Sequence, residues 1–448
     1  MPLSLRTIRL GTIYSGLALF AFCTANGVAG AATLCVNQGG TGGCTSTIGA
    51  AVAAAGYRDT IEVGPGVYKE QVTITKTLSL VAKNELNPPT IDASGLSNGI
   101  FVNGMAAAPG EGVFYVVIRG FNIHNAKYEG ILVVNGTDVT IVDNHVHHNN
   151  QALDLSSSPV SCPGIPDFET NEGSDCGEGI HLIGTNRSTL MRNESDHNSG
   201  GILISDETGP SSRNIVSGNF VHDNPYACGI TMASHGPSPT IPGAIVSFGV
   251  FRNTVEDNES AHNGLGLPGA GAGVGIFAAV PGNASYENVV INNHLHDNGL
   301  PGVTMHTHAP FIPGPPKPPP YLDDNVIVGN RIHGNAADTA DATTSGPTGI
   351  NIYSVVGIHG TVISKNVFGD EDIDIAFKAP LGSHVNAHFN DFSAASIGVD
   401  NTGGGSVTAS QNWWHCPGGP AGTSAACATS VGNQVGGPAP WLTTPFVP

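Results

Sequence analysis

Two columns of asparagine, five residues apart and repeated down most of the chain, constrain the fold more than any other feature. Asn144, Asn193, Asn219, Asn258, Asn293, Asn330 and Asn366 open successive copies of a unit. Asn149, Asn198, Asn224, Asn263, Asn298 and Asn335 follow in the same order. After each second asparagine comes a short alternating strand, at residues 180–183, 202–205, 230–233, 303–306 and 350–353. Residues 290–308, VINNHLHDNGLPGVTMHTH, show the whole unit. A unit of some twenty residues cannot bury its apolar face alone and must stack on copies of itself. Short strands, Gly/Asn turns and no helical period make that stack a β-solenoid.

The unit Asn-x-Val-His-x-Asn followed by Gly-Ile-x-Ile resembles the repeat of the pectin-lyase-like superfamily. That resemblance covers roughly residues 45–415 and implies an all-β fold, a single-stranded right-handed parallel β-helix. It implies little about activity, because the superfamily holds lyases, hydrolases, epimerases, esterases and non-catalytic proteins. The segment GPGVYKEQVTI, with Val67, Tyr68, Lys69 and Glu70, resembles the opening coil of pectin methylesterases, although the catalytic aspartate motifs of that family do not follow it. Asn412, Trp413 and Trp414, then residues 416–420, resemble the closing Asn-Trp-Trp motif of β-helix repeat proteins, with His415 in place of the usual glycine. The two tryptophans are expected to cover the open end of the last coil.

Boundaries follow from the same reading. Residues 1–31 read as a secretory signal, with Arg6 and Arg9, an apolar centre at 13–23 and Ala29-Gly30-Ala31 as a cleavage site. The apolar run is too short to span a membrane. Residues 32–58 form an N-terminal cap, 59–410 the β-helix and 411–448 the closing segment. Within the cap, residues 45–55 are the one convincing helix, capped by Ser46 or Thr47 and expected to plug the open end of the solenoid.

Charged residues make up only 11% of the chain, and the net charge is −19. Such a surface disfavours nucleic acid and anionic membranes, and disfavours a bare polyuronate unless a basic pocket or a bound Ca²⁺ reverses the field locally. An oxidising compartment makes three cysteine pairs natural: Cys35–Cys44, Cys162–Cys176 and Cys416–Cys427. Cys228 is left as a buried thiol.

Histidines 124, 147, 222, 296 and 333 share one column of the repeat and read as a surface ladder. The second strand of each unit is more informative. Ile180 and Leu182, Ile202 and Ile204, Ile230 and Met232, Val303 and Met305, and Ile350 and Ile352 alternate inward. The outward column then reads Asp154, His181, Leu203, Thr231, Phe277, Thr304, Asn351 and Asp374. A second outward column reads Ser156, Ile183, Ser205, Ala233, Ala279, His306 and Tyr353. By this alignment Asp154 adjoins His181, and His306 adjoins Tyr353. Asp206, Glu207, His235, His306 and His308 line the same flank, beside a proline-rich loop at 309–323 expected to shield it.

These eight residues, Asp154, His181, Asp206, Glu207, His235, His306, His308 and Tyr353, are the candidate catalytic set. A carboxylate fixes the tautomer of a neighbouring His, and a His beside a Tyr can form an acid–base pair. Asp154 with Asp206 or Glu207 would supply the two carboxylates of a glycosidase. A divalent metal on Asp154, His181 or the His306/His308 pair is a further option. The Trp-x-Asp-His and Arg-x-Pro-x-x-Arg motifs of pectate lyases, the Asn-Thr-Asp and Gly-His-Gly set of polygalacturonases and the tyrosine-containing motif of mannuronan epimerases are missing. Two readings therefore stand: an exported carbohydrate-active protein (lyase or glycoside hydrolase) acting on an extended polysaccharide, or a non-catalytic binding, adhesive or accessory protein with some likeness to accessory proteins of nitrous oxide reductase.

Overall fold

The computed structural model describes residues 30–105, 112–158, 160–170, 176–340 and 343–446. The signal segment expected at 1–31 lies almost wholly outside the described residues. Most coils contribute one strand to each of three long parallel sheets. The first sheet has 14 strands, from Thr33–Val36 to Val435–Gly436. The second has 10, from Val67–Tyr68 to Val367–Gly369, and the third has 12, from Val72–Ile74 to Thr429–Gly432. The second asparagine of each unit leads into the third sheet, which carries the candidate site.

The asparagines hold the corners. Asn144 Oδ1 accepts from the backbone N of Phe121 in the preceding coil, and its Nδ2 donates to Asn193 Oδ1 in the next. The same amide bond continues through Asn219, Asn258, Asn293, Asn330, Asn366, Asn390 and Asn412. A second ladder runs from Asn149 to Asn335 and ends on Glu371. A third, unexpected from sequence, joins Asn214, Asn253 and Asn288 at the corner between the third and first sheets, and Asn325 accepts from the Asn288 backbone there. The asparagines do not adopt the left-handed turn conformation themselves. The residue before each does so, as at Asp143, Arg192, Asp257 and Asn292, with φ of 51–58°. The amides instead satisfy buried corner carbonyls and N–H groups that no sheet partner can reach.

The inward column is as expected: Ile180, Leu182, Ile202, Ile204, Ile230, Met232, Val303, Met305, Ile350 and Ile352 are all buried in one continuous core. The plug is a helix at Ile48–Ala54, shorter than the expected span by its frayed ends, with Ile48, Ala51 and Val52 on the core. Thr47 caps Ala50, and the Glu70 carboxylate accepts from Ile48 and Gly49. The segment taken as cap also contains a strand, Thr33–Val36, which pairs in parallel with Thr60–Val63 and starts the first sheet. At the other end Trp414 is fully buried against Phe392, with ring centroids 4.7 Å apart, and Trp413 is also buried. They do not face an open end, because strands Thr429–Gly432 and Val435–Gly436 add a further partial coil beyond them.

All three expected disulfides form, and Cys228, buried, lies outside them, its Sγ accepting from Ala272 N. The histidine ladder stands in register along the second sheet, with stacked rings at His124/His147 and His296/His333. No helix among the described residues is long and apolar enough to cross a membrane.

Near the C-terminal end Asp374 is fully buried. Its Oδ2 accepts from Ser393 N and Ser396 Oγ, and its Oδ1 has no hydrogen bond. Burial pushes its carboxyl up to about 7. The folded chain therefore holds this proton more tightly than the unfolded one. Stability from this group is complete below about pH 4 and is lost as the pH rises to about 7. Asp374→Asn reproduces the protonated form, so thermal unfolding should show no change at pH 4 and a gain of order 2 kcal/mol at pH 7.5. A variant destabilised equally at both pH values would contradict this.

Candidate functional site

Side chains that point outward from the third sheet would normally meet solvent. Here most are buried, including His181, Leu203, Ser205, Thr231, Ala233, Thr304, His306 and Asn351. The cause is the placement of the insertions. Residues 150–178 and 336–347 precede third-sheet strands, whereas 236–249, 279–285 and 309–325 follow them, so excursions wall the sheet on both edges. The outward face of the sheet is thus largely covered, with a cavity left over it beside His306.

The register corrects the sequence alignment in three places. Asp154 is not on the sheet: it bridges Ser161 within the excursion, and its Oδ1 is held by Ser156. The sheet partners of His181 are Leu132 and Leu203. Phe277 aligns with Ala233, not Thr231, and Ala376, not Asp374, aligns with Asn351. The Asp154 and Phe277 errors are displacements across an insertion whose length the repeat does not fix; ahead of Asp374 there is no insertion, and the strand is simply two residues out of the expected register. The Asp154–His181 pair, and a glycosidase pair built on Asp154, fall with the first.

His306 and Tyr353 do pair. They are register partners on adjacent coils, with ring centroids 5.8 Å apart and nearly perpendicular planes. The column continues on both sides: Phe277 is the partner of His306 in the coil before, and Lys378 is the partner of Tyr353 in the coil after. Lys378 Nζ lies 5.5 Å from the Tyr353 ring centre. Behind His306 stands Asp338, a residue the sequence reading missed. Its Oδ2 is 3.3 Å from His306 Nε2, and it also accepts from Asn351 Nδ2 at 2.9 Å. Asp338 is fully buried in the insertion before strand Thr348–Tyr353, where no periodicity marks it.

His306 and His308 line one side of a cavity of about 140 Å³, with Phe277 and Cys228 on its wall and His235 opposite. The proline-rich residues 309–323 do not line it; residues 269–271 and Tyr226 do. His235 is held by Glu207, whose Oε1 is 2.8 Å from His235 Nδ1 and whose Oε2 accepts from Ser205 Oγ at 2.5 Å. Burial alone would raise the Glu207 carboxyl, but the charge and hydrogen bond of His235 hold it below its ordinary value. Its neighbour Asp206 has a different task. It accepts from the backbone of His235 and Gly249 and from Ser234, anchoring the loop between them. Burial, reinforced by the Glu207 carboxylate, pushes Asp206 up to about 7.

His181 belongs to a separate cluster beneath the Cys162–Cys176 excursion. Its Nε2 meets Ser205 Oγ at 2.8 Å, and burial holds the imidazole down to about 4, hence neutral. Around it stand Glu129, Glu169 and Glu178, none of which the sequence reading singled out. The available signal was the tripeptide Glu-Gly-Ile at 129–131 and again at 178–180, just where each chain enters the third sheet.

The family described as "Right handed beta helix region" matches residues 93–247. The chain is a right-handed parallel β-helix protein. Among solved structures, this β-helix is similar to a DFA-IIIase from Arthrobacter chlorophenolicus A6 without its lid, in complex with GF2. The TM-score is 0.53 and the identity 12%, covering 84% of this chain and 93% of that one. It is also similar to a pectate lyase (TM-score 0.47, 15% identity, 86% and 80% covered). The A-module of a mannuronan C-5 epimerase from Azotobacter vinelandii matches with TM-score 0.47 and 14% identity, over 80% and 87%. At such identities the likeness concerns the fold. Curated protein sequences give no significant match.

Proposed function

We propose that this β-helix is an exported carbohydrate-active protein that binds an extended polysaccharide over the third sheet, at the cavity beside His306, and performs proton-transfer chemistry on a uronate residue. The observation that carries this is the register column Phe277, His306, Tyr353, Lys378, with Asp338 behind His306. Successive members are about 4.8 Å apart, a spacing on which one sugar unit can touch two or three of them. The Asp338 carboxylate, 3.3 Å from His306 Nε2, favours the imidazole proton on that side by its charge, leaving Nδ1 as the basic nitrogen. In a β-elimination His306 takes the proton from the carbon alpha to the carboxylate. The bond from the β carbon to the glycosidic oxygen breaks, and Tyr353 gives its phenolic proton to the departing oxygen. Lys378 neutralises the substrate carboxylate in an otherwise acidic protein.

The test is a screen of mature protein against polyuronates and neutral glycans, fructans included. The expected result is an unsaturated, ultraviolet-absorbing product from a uronate only, with Tyr353→Phe lowering its rate 100-fold or more. Reducing ends without absorbance would indicate hydrolysis instead. Binding without turnover would favour the adhesive or accessory reading.

A further inference from the structure

Beneath the excursion at 150–178, Glu129, Glu178 and His181 each bring one ligand atom to within 4.8 Å of the others, and all three are buried. Glu129 and Glu178 occupy equivalent positions on adjacent coils, since Gly130 and Gly179 behind them follow the same ladder. Glu169 closes the cluster, its Oε2 4.0 Å from His181 Nδ1. Among the described residues neither oxygen of Glu129, neither oxygen of Glu169, nor His181 Nδ1 makes a hydrogen bond of good geometry; the Glu129 carboxyl lies against the Glu169 carboxyl and the Gly177 backbone. Among the described residues no lysine or arginine pairs with Glu129 or Glu169. Carboxylates taken out of water without a donor or a cation are strongly unfavourable, and a bound metal ion removes that cost.

We propose that Glu129, Glu178 and His181, with Glu169 as a fourth ligand, bind a divalent transition ion, Zn²⁺ or Mn²⁺. The imidazole nitrogen argues against Ca²⁺, which takes oxygen ligands, whereas an imidazole with carboxylates is a donor set that Zn²⁺ and Mn²⁺ accept. The site has two consequences. It ties the disulfide-bonded excursion to two coils of the third sheet. It also fixes a hydrogen-bond direction: an ion on Nδ1 leaves the His181 proton on Nε2, which donates to Ser205 Oγ. Ser205 then donates to Glu207 Oε2, and Glu207 Oε1 accepts from His235 on the cavity wall. The ion thereby orients a side chain of the cavity without touching it.

Two solvent-facing clusters on the second sheet, Glu259/His294/His296 and His145/Glu194/Asp196, could also take up metal. The experiment therefore uses mature protein carrying His145→Ala and His294→Ala. After chelation it is re-supplied with Zn²⁺, Mn²⁺ or Ca²⁺ and desalted, and bound metal is measured by mass spectrometry alongside the melting temperature. One tightly held Zn²⁺ or Mn²⁺ per chain with a raised melting temperature is expected, and Glu178→Gln or His181→Gln should weaken binding tenfold or more. The reading is independent of any glycan activity. It is overturned if this protein retains neither ion, if it prefers Ca²⁺, or if a folded Glu129→Gln variant binds as before.

Discussion

Replacing His306 with alanine is expected to lower turnover of the polyuronate about 1000-fold, within the range that removal of a general base commonly costs. The substrate KM should change by only a few fold, because His306 contributes one wall of a cavity that Phe277, His308 and His235 still define. Asp338→Asn provides the sharper control. It keeps the shape and the hydrogen-bonded neighbourhood of Asn351 but removes the negative charge 3.3 Å from His306 Nε2. A loss of order 100-fold in kcat is expected. Asp206→Asn should behave differently. Asp206 anchors backbone N–H groups of the loop, so its replacement should change thermal stability before it changes kcat. If His306→Ala turns over substrate at the original rate while folded, the assignment of the base is wrong.

How much of this was legible in the sequence depends on whether a residue lies inside the repeat or in an insertion. Asn258, Ile204 and His296 are fixed by counting, because each coil adds the same strand–corner–strand units. The His306–Tyr353 pair could be found because both follow a Gly-Val or Gly-Ile entrance to the third sheet, so the insertion between them did not shift the register. Asp154 could not be placed, because residues 150–178 leave the coil before the strand begins, and counting on from Asn149 ran into the excursion. Asp338 and Glu169 were invisible for the same reason: their positions depend on how a loop folds back, which no periodicity encodes. The burial of the outward column was missed too. A strand such as Ile180–Ile183 alternates in sequence as if one face were wet, and only the loops walling the sheet make His181 a buried group.

The largest stability effect is expected at the corners, and Asn258→Leu tests it. The Asn258 side chain accepts from both the backbone N and Nδ2 of Asn219, and donates to Val216 O and Asn293 Oδ1. Leucine fills the space but leaves those four groups buried and without that partner. At about 1–3 kcal/mol for each stranded group, partly relieved by relaxation, a loss of at least about 3 kcal/mol is expected. His333→Ala on the outer ladder, which removes a partly exposed stacked ring, should cost well under half of that. Because each coil of a solenoid contacts only its neighbours, the damage should also be local. Hydrogen exchange should accelerate in the strands around Thr254–Glu256 and Val289–Ile291 while the helix-plugged end keeps its protection. An Asn258→Leu protein that melts within about 1 kcal/mol of the original would mean that strand pairing and the aliphatic core hold the coils without the amide ladder.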